Sequence, residues 1–202
     1  MPVAEQTLWA RDTAAALLAP LGQRCPHTLG VVERAQTFAD RLTTSEFDAL
    51  VAAAYAHDVR YAPALARTGF HALDGARFLR SAGWERVACL VAHHSGAHAE
   101  AEERGLLDAL ELFPEERSLV ADVLTYCDLT TAPDGSAISA PERLSDVATR
   151  YGDDHPVGRA VRRSREELLT LVNRVAALEG DRATAEGRGR GRVRARRGGA
   201  AA

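Results

Sequence analysis

The sequence predicts an all-α protein built as a bundle of helices. Alanine and leucine dominate an apolar fraction of 46%, aromatic residues make up only 5% of the 202 residues, and runs of β-branched residues are short. That balance favours helices over sheets. Apolar residues also recur at a spacing near 3.6 through most of the chain, which is typical of helices with one buried face. The length suits one domain, which we place at residues 1–180.

Start and stop signals divide this domain into successive helices. Ser45 is a good N-cap for a helix that ends at His57-Asp58. Pro114 suits the N-cap or first position of a helix that runs to Leu129. The segments 59–70 and 130–140, which carry proline and glycine, predict loops. In order, the predicted helices begin at about residues 5, 27, 45, 73, 84, 115, 141 and 157, and the last of them ends at about residue 178.

The C-terminal segment 181–202 has a different composition from the rest of the chain. It consists mainly of glycine, arginine and alanine, and seven arginines against two acidic residues give it a net charge of +5. We expect it to be a disordered tail with weak binding to polyanions, because it has almost nothing to bury. The remaining residues carry a net charge of −8, which argues against nucleic-acid binding by the body of the protein.

The three cysteines indicate a reducing compartment. Cys25, Cys89 and Cys127 are odd in number and far apart, so they match neither a disulfide framework nor a paired zinc motif. The sequence shows no signal peptide and no apolar run long enough to span a bilayer. We therefore expect a cytoplasmic protein that does not enter the membrane.

Histidine and aspartate residues recur at the predicted helix ends. Taken singly, each has an ordinary explanation as a helix cap or as a solvated residue that interacts with the helix dipole. Asp128 is the exception, because it follows an apolar helix and would be costly to bury without a partner. Helix ends in a bundle can converge on one cleft. The residues are His27, His57, Asp58, His71, His93, His94 and Asp128.

Taken together, these residues resemble the signature of the HD-domain superfamily. The signature is a histidine, then His-Asp, then one or more histidines, then an aspartate, on successive helices. It appears here in PHTLGVVERA, AYAHDVRYAP, TGFHALDGARFLRSAG, VACLVAHHSG and VLTYCDLTTAPDG. The resemblance covers about residues 24–160. It implies an HD-domain helical bundle, similar to the small bacterial two-metal hydrolases of the HDIG type.

The resemblance implies a metal site and assigns its ligands. His27, His57, Asp58 and Asp128 match the first metal site, whereas His71 with His94, His93 or both match the second. Asp58 would bridge the two ions, and His94 is favoured over His93. Such ligands suit divalent transition metals, with iron and manganese favoured over cobalt, nickel, zinc and magnesium. One or two ions would activate a water and hold a phosphate, with Asp58, Arg60 and His94 as catalytic residues.

Departures from the motifs of related families argue against some classes of substrate. Arg60 and Tyr61 stand where several relatives carry Gly-Lys, which argues against diadenosine-polyphosphate hydrolysis, although Arg60 would still contact a phosphate. The turn SGAHAE after His94 lacks the Gly-Tyr-Pro motif of cyclic-dinucleotide phosphodiesterases. Arg67 and Arg143 flank the expected cleft. Substrate contacts are therefore expected from Arg60, Tyr61, Arg67 and Arg143.

Three functions remain open at this point. The first is a metal-dependent phosphohydrolase, with a nucleotide or another small phosphate ester as substrate. The second is a diiron oxygenase of the HD fold, since the same ligands would serve it, and a requirement for oxygen would distinguish it. The third is a non-catalytic nucleotide-binding or regulatory module, which is disfavoured because every expected ligand position is filled. An oligomer is compatible with all three.

Overall fold

The computed structural model describes residues 4–22 and 24–197, with side chains described as far as Glu179. Within these residues the chain is α-helical and has no β-strand, which confirms the predicted all-α class. An isolated antiparallel bridge joins Thr131 to Ala137. No helix in the described part combines the length and the apolar character that a membrane span requires.

The helices follow one another with short connections. They are α1 (Glu5–Leu18), α2 (Arg24–Gln36), α3 (Thr44–Ala56), α4 (His71–Ser81), α5 (Glu85–His93), α6 (Ala97–Arg104), α7 (Leu107–Leu110), α8 (Leu119–Leu129), α9 (Ala140–Tyr151) and α10 (Pro156–Arg197). Single 3-10 turns occupy Ala19–Leu21, Ala39–Arg41, Val59–Tyr61, Pro63–Leu65 and His94–Gly96.

The starts of α3 and α8 differ from the prediction, because other hydroxyl groups cap these two helices. The N-cap of α3 is Thr43 rather than Ser45, and Thr43 forms a reciprocal capping box with Glu46. Helix α8 begins after Ser118, whose side chain accepts from the N–H of Ala121, so the helix does not start at Pro114. Helices α6 and α7 were not predicted.

The last helix is longer than the sequence indicated. Helix α10 continues to Arg197 instead of ending near Leu178, so its backbone takes in most of the segment 181–202. The disorder of that segment and the division of the chain at residue 180 stay predictions, since the side chains after Glu179 and residues 198–202 lie outside the described part.

Helix α3 forms the centre of the bundle and packs against α1, α2, α5 and α8. Its buried face is built largely from alanines, and the stretch 52–54 is completely buried. Alanine side chains let neighbouring helices approach closely, and they lose almost no side-chain entropy on burial. Because the neighbours of α3 pack this closely, the ends of several helices meet near its C-terminus.

The loop after α8 folds back onto the first turns of α2. A Cβ atom at Gly30 would lie 2.5 Å from the carbonyl oxygen of Gly135, and one at Gly135 would lie 2.7 Å from the carbonyl oxygen of Pro26. Gly135 also has a φ of +87°, which disfavours other residues there. The two glycines therefore allow the loop to lie beside His27.

Candidate metal centre

Six side chains at helix ends come together beside the C-terminus of α3. Four are buried almost completely, namely His27, His57, Asp58 and His94. His27 lies in the first turn of α2, His57 and Asp58 follow α3, His71 opens α4, His94 follows α5, and Asp128 lies in the last turn of α8. Helix ends can bring polar side chains into a protein interior while the backbone stays hydrogen-bonded.

Four of these side chains form one compact cluster, called here the first cluster: His27, His57, Asp58 and Asp128. Nε2 of His27 lies 3.1 Å from Oδ1 of Asp128 and 3.4 Å from Nε2 of His57. Oδ2 of Asp58 lies 3.7 Å from Nε2 of His57 and 4.0 Å from Nε2 of His27. Single ligand atoms of His27, His57 and Asp128 all lie within 4.8 Å of one another, a spacing that suits one metal ion.

Backbone carbonyls fix which ring nitrogen faces the centre. Nδ1 of His27, His57 and His94 each contacts a carbonyl oxygen, which can only accept a hydrogen bond. The hydrogen of the neutral ring is therefore assigned to Nδ1, and Nε2 presents a lone pair to the centre. Nδ1 of His27 lies 3.2 Å from the carbonyl oxygen of Ala132. Nδ1 of His57 lies 2.8 Å from that of Ala54, and Nδ1 of His94 lies 2.6 Å from that of Val91.

The first cluster consequently consists of acceptor atoms that face one another. Among the described residues, the donors from outside the cluster are Arg24, which donates to Oδ2 of Asp58 at 2.7 Å, and Ser95, which donates to Oδ2 of Asp128. Buried acceptors without donors are costly, and a cation placed between them removes that cost. Imidazole nitrogens combined with carboxylates suit a divalent transition metal, so the residues present fit such an ion.

The protonation states also fit a metal site, because ligands must be deprotonated. Burial disfavours the charged forms of Asp58 and Asp128, but the neighbouring histidines, together with Arg24 at Asp58 and Arg143 at Asp128, outweigh it and hold both pKa values well below the usual range. Burial lowers the pKa of His57, so that ring is neutral. His27 is the exception: burial opposes its charge, but the hydrogen bond that its ring donates to Asp128, together with the charges of Asp128 and Asp58, raises its pKa, so a metal ion would have to displace that proton.

A second pair of histidines adjoins the first cluster. Nε2 of His71 lies 3.3 Å from Nε2 of His94, and the His94 ring is 5.5 Å from the His57 ring between centroids. Burial, followed by the charge of His94, lowers the pKa of His71 to about 3. Two imidazole rings whose Nε2 atoms face each other again suit a cation. Asp58 favours the charged form of His71, which places its carboxylate within electrostatic reach of this pair as well.

The structure does not bring His93 to the centre. Nε2 of His93 contacts the carbonyl oxygen of Phe113 at 2.6 Å, and its side chain lines a different surface cavity beside Glu115 and Arg174. His93 is the last residue of α5, and the chain turns sharply after it. Neighbouring residues at this helix end therefore point in different directions, and His94 alone of the two faces the cluster.

Arg60 and Arg67 also lie away from the cleft. The Arg60 side chain packs beside the buried Asp74, with Nε 3.6 Å from Oδ2, so this carboxylate holds the guanidinium that we expected on a phosphate. Arg67 is exposed, and its backbone N–H donates to the same carboxylate at 2.8 Å. Arg77 likewise contacts Asp74.

A cavity of about 730 Å³, open solvent included, adjoins the six side chains of the centre. Tyr61 and Arg143, two of the residues from which substrate contacts are expected, line it together with Arg24 and Arg150. The Arg24 guanidinium lies over the Tyr61 ring, 3.5 Å from its centroid. Arg24 was not predicted as a site residue, although it precedes His27 by three positions and therefore shares its helix face.

Ser95 was not predicted either, and it orients Asp128. Its φ of 53° is unusual for a residue other than glycine. Its backbone N–H donates to Oγ1 of Thr125 at 3.1 Å, and its hydroxyl donates to Oδ2 of Asp128. The hydroxyl therefore leaves Oδ1 of Asp128 facing His27.

We expect Ser95→Ala to weaken metal affinity by about 10–100-fold, because hydrogen bonds to a ligand fix its orientation. Isothermal titration calorimetry with Mn²⁺ would measure the change. Ser95→Gly is the matched variant, since it also lacks the hydroxyl but tolerates the positive φ. Unchanged metal affinity in both variants would contradict this role for the hydroxyl.

A comparison with protein-family models assigns the fold and the centre to one family. The model described as HD domain matches residues 24–132, which is more than half of the chain and contains all six residues of the centre. The chain therefore belongs to the HD domain family, which is of the metal-dependent phosphohydrolase type. Searches of curated proteins and of solved structures gave no significant match.

Proposed function

We propose that this protein is a metal-dependent phosphohydrolase that cleaves a small phosphate ester with a metal-activated water. The observation that carries the proposal is the first cluster, in which buried acceptor atoms face one another beside an arginine-lined cavity. Buried acceptor atoms that face one another destabilise the folded state unless a cation lies between them. The adjoining arginines suit an anionic substrate.

The ligands divide into two sets that share Asp58. His27, His57, Asp58 and Asp128 would hold one ion, and His71 and His94 with Asp58 would hold a second. Iron or manganese suits this mixture of imidazole and carboxylate. When bound, such ions lower the pKa of a coordinated water and polarise the phosphoryl group.

Arg24 and Arg143 would bind the phosphate oxygens. Both line the cavity beside the ligands, since Arg24 donates to Asp58 and Nη2 of Arg143 lies 3.9 Å from Oδ1 of Asp128. Guanidinium groups at this position stabilise the charge that develops on a phosphoryl group during hydrolysis. The two serines that line the cavity already use their hydroxyls in hydrogen bonds. Ser95 donates to Asp128, and Ser164 donates to the carbonyl oxygen of Ala160. Water is therefore the proposed nucleophile.

We expect the protein to contain one or two transition-metal ions per chain and to release phosphate from a member of a substrate panel. The panel would hold nucleotides and other phosphate esters, each tested with Mn, Fe, Co, Ni and Mg. Metal analysis and a phosphate-release assay are the measurements, and His93→Ala is the control that should keep full activity.

Two results would contradict the proposal. Absence of bound metal, even after reconstitution, would exclude any metal-dependent reaction. A metal-loaded protein that consumes oxygen and releases no phosphate would instead indicate the oxygenase.

A further inference from the structure

Helix α9 lies outside the residues that match the family and adds a second basic feature to the cavity. Arg143, Asp146 and Arg150 occur at spacings of three and four, so they share one face of α9. Arg143 and Arg150 line the main cavity, and with Arg24 they also line a smaller cavity next to it. Three guanidinium groups thus surround the outer part of the site.

Arg143 lies between two carboxylates that belong to different environments. Nη2 lies 3.9 Å from Oδ1 of Asp128 in the first cluster, and Nη1 lies 3.6 Å from Oδ2 of Asp146 on α9. The Arg143 side chain is only 9% exposed, and its Nη1 is buried without a hydrogen-bond partner among the described residues. A buried charged donor in this state is costly, which indicates that a ligand supplies the acceptor.

Asp146 shows where an anion is stable. The same oxygen, Oδ2, contacts both Arg143 and Arg150, so one negative group sits between two guanidinium groups. The Asp146 side chain is 46% exposed and does not line either cavity, whereas the two arginines do. Asp146 can therefore release the arginines to a ligand in the cavity and remain hydrated.

On the basis of the proposed function, we propose that the substrate carries a second anionic group, which binds between Arg143 and Arg150 in competition with Asp146. Because a single guanidinium adjoins both Asp128 and the α9 site, the two anionic groups lie close together. The substrate class is a compact organic phosphate whose non-reacting part bears a carboxylate or a further phosphate.

Two non-hydrolysable phosphonates of similar size test this class. Phosphonoacetate carries a carboxylate beside the phosphonate, and ethylphosphonate does not. Isothermal titration calorimetry on the Mn²⁺-loaded full chain should show phosphonoacetate binding about tenfold more tightly or better, the gain expected from one charge-assisted hydrogen bond. A matching comparison of methylenediphosphonate with methylphosphonate, which tests a phosphate in the second position, distinguishes the two kinds of anionic group.

Variants on α9 assign the preference to these residues. Arg150→Gln should abolish the preference and leave ethylphosphonate binding unchanged, whereas Asp146→Asn should increase the preference by removing the competing carboxylate. Arg162→Gln is the matched control, because Arg162 is similarly exposed and pairs with Asp153 away from the cavity. Circular dichroism melting would check that each variant is folded.

The outcomes separate this inference from the proposed function. If both members of each phosphonate pair bind equally well, the second anionic site is refuted and the phosphate site stands. If none of the four binds, both are refuted. A preference that survives in Arg150→Gln would also overturn the assignment to α9.

Discussion

Asp58→Asn is expected to leave a folded protein that retains no metal and has lost its phosphohydrolase activity. The carboxylate lies within 4.0 Å of Nε2 of both His27 and His57, and its charge also reaches His71. Asp58 is the carboxylate that the two proposed ligand sets share. The metal would stabilise the transition state by several kcal/mol, so its loss should lower kcat/KM at least about a hundredfold.

Metal analysis after dialysis and the rate of phosphate release would measure these effects. The fold should survive, because asparagine keeps the shape of the side chain and Arg24, which is 25% exposed, can reach solvent when its ion pair is lost. Asp134→Asn is the control, since Asp134 lies on an exposed turn and hydrogen-bonds to Ser136. Normal metal content and turnover in Asp58→Asn would refute the centre.

His71→Ala is expected to reduce the metal content from two ions per chain to one. His71 and His94 face each other with Nε2 atoms 3.3 Å apart, whereas the first cluster does not include His71. Removing one ligand of the second ion should therefore spare the first. The lost ion should cost about a hundredfold or more in kcat/KM, since it would no longer stabilise charge on the phosphoryl group.

Quantitative metal analysis of the wild type and the variant, each reconstituted with excess Mn²⁺, would check the stoichiometry. His93→Ala is a well-matched control, because His93 is adjacent in sequence to a proposed ligand but contacts the carbonyl oxygen of Phe113 instead. Equal metal content and equal activity in wild type and His71→Ala would contradict a second ion. A loss of all metal would show that the two sites are not separable.

The sequence predicted the helices whose ends carry a strong local signal. Helix α3 ends at Ala56, directly before His57-Asp58, and α8 ends at Leu129, both close to the predicted ends, because apolar periodicity stops at those points. Helix α6 was missed, because AHAEAEER has no large apolar residue and buries alanines together with Glu100. The start of α8 was placed too early, because Glu116 pairs with Arg86 and the backbone of residues 114–117 stays outside the helix.

Six of the seven proposed ligands come together, because their order in the sequence matches successive helix ends. The arginines were predicted less well. Arg60 was predicted to contact a phosphate because, with Tyr61, it stands where several relatives carry Gly-Lys, but its side chain packs beside the buried Asp74, fourteen positions further along the chain. Arg24 takes the position beside Asp58 because the first turn of α2 packs there. Such contacts arise only after the helices have assembled.

The glycine-lined contact between α2 and the loop after α8 also has a consequence for the stability of the whole chain. It brings His27 and Asp128 together across 101 sequence positions. An ion held between these side chains cross-links the beginning and the end of the family-matched region, so unfolding must release it. The binding free energy of the metal is then part of the folding free energy. Under the proposed function, a cell depleted of the metal would lose folded protein as well as activity.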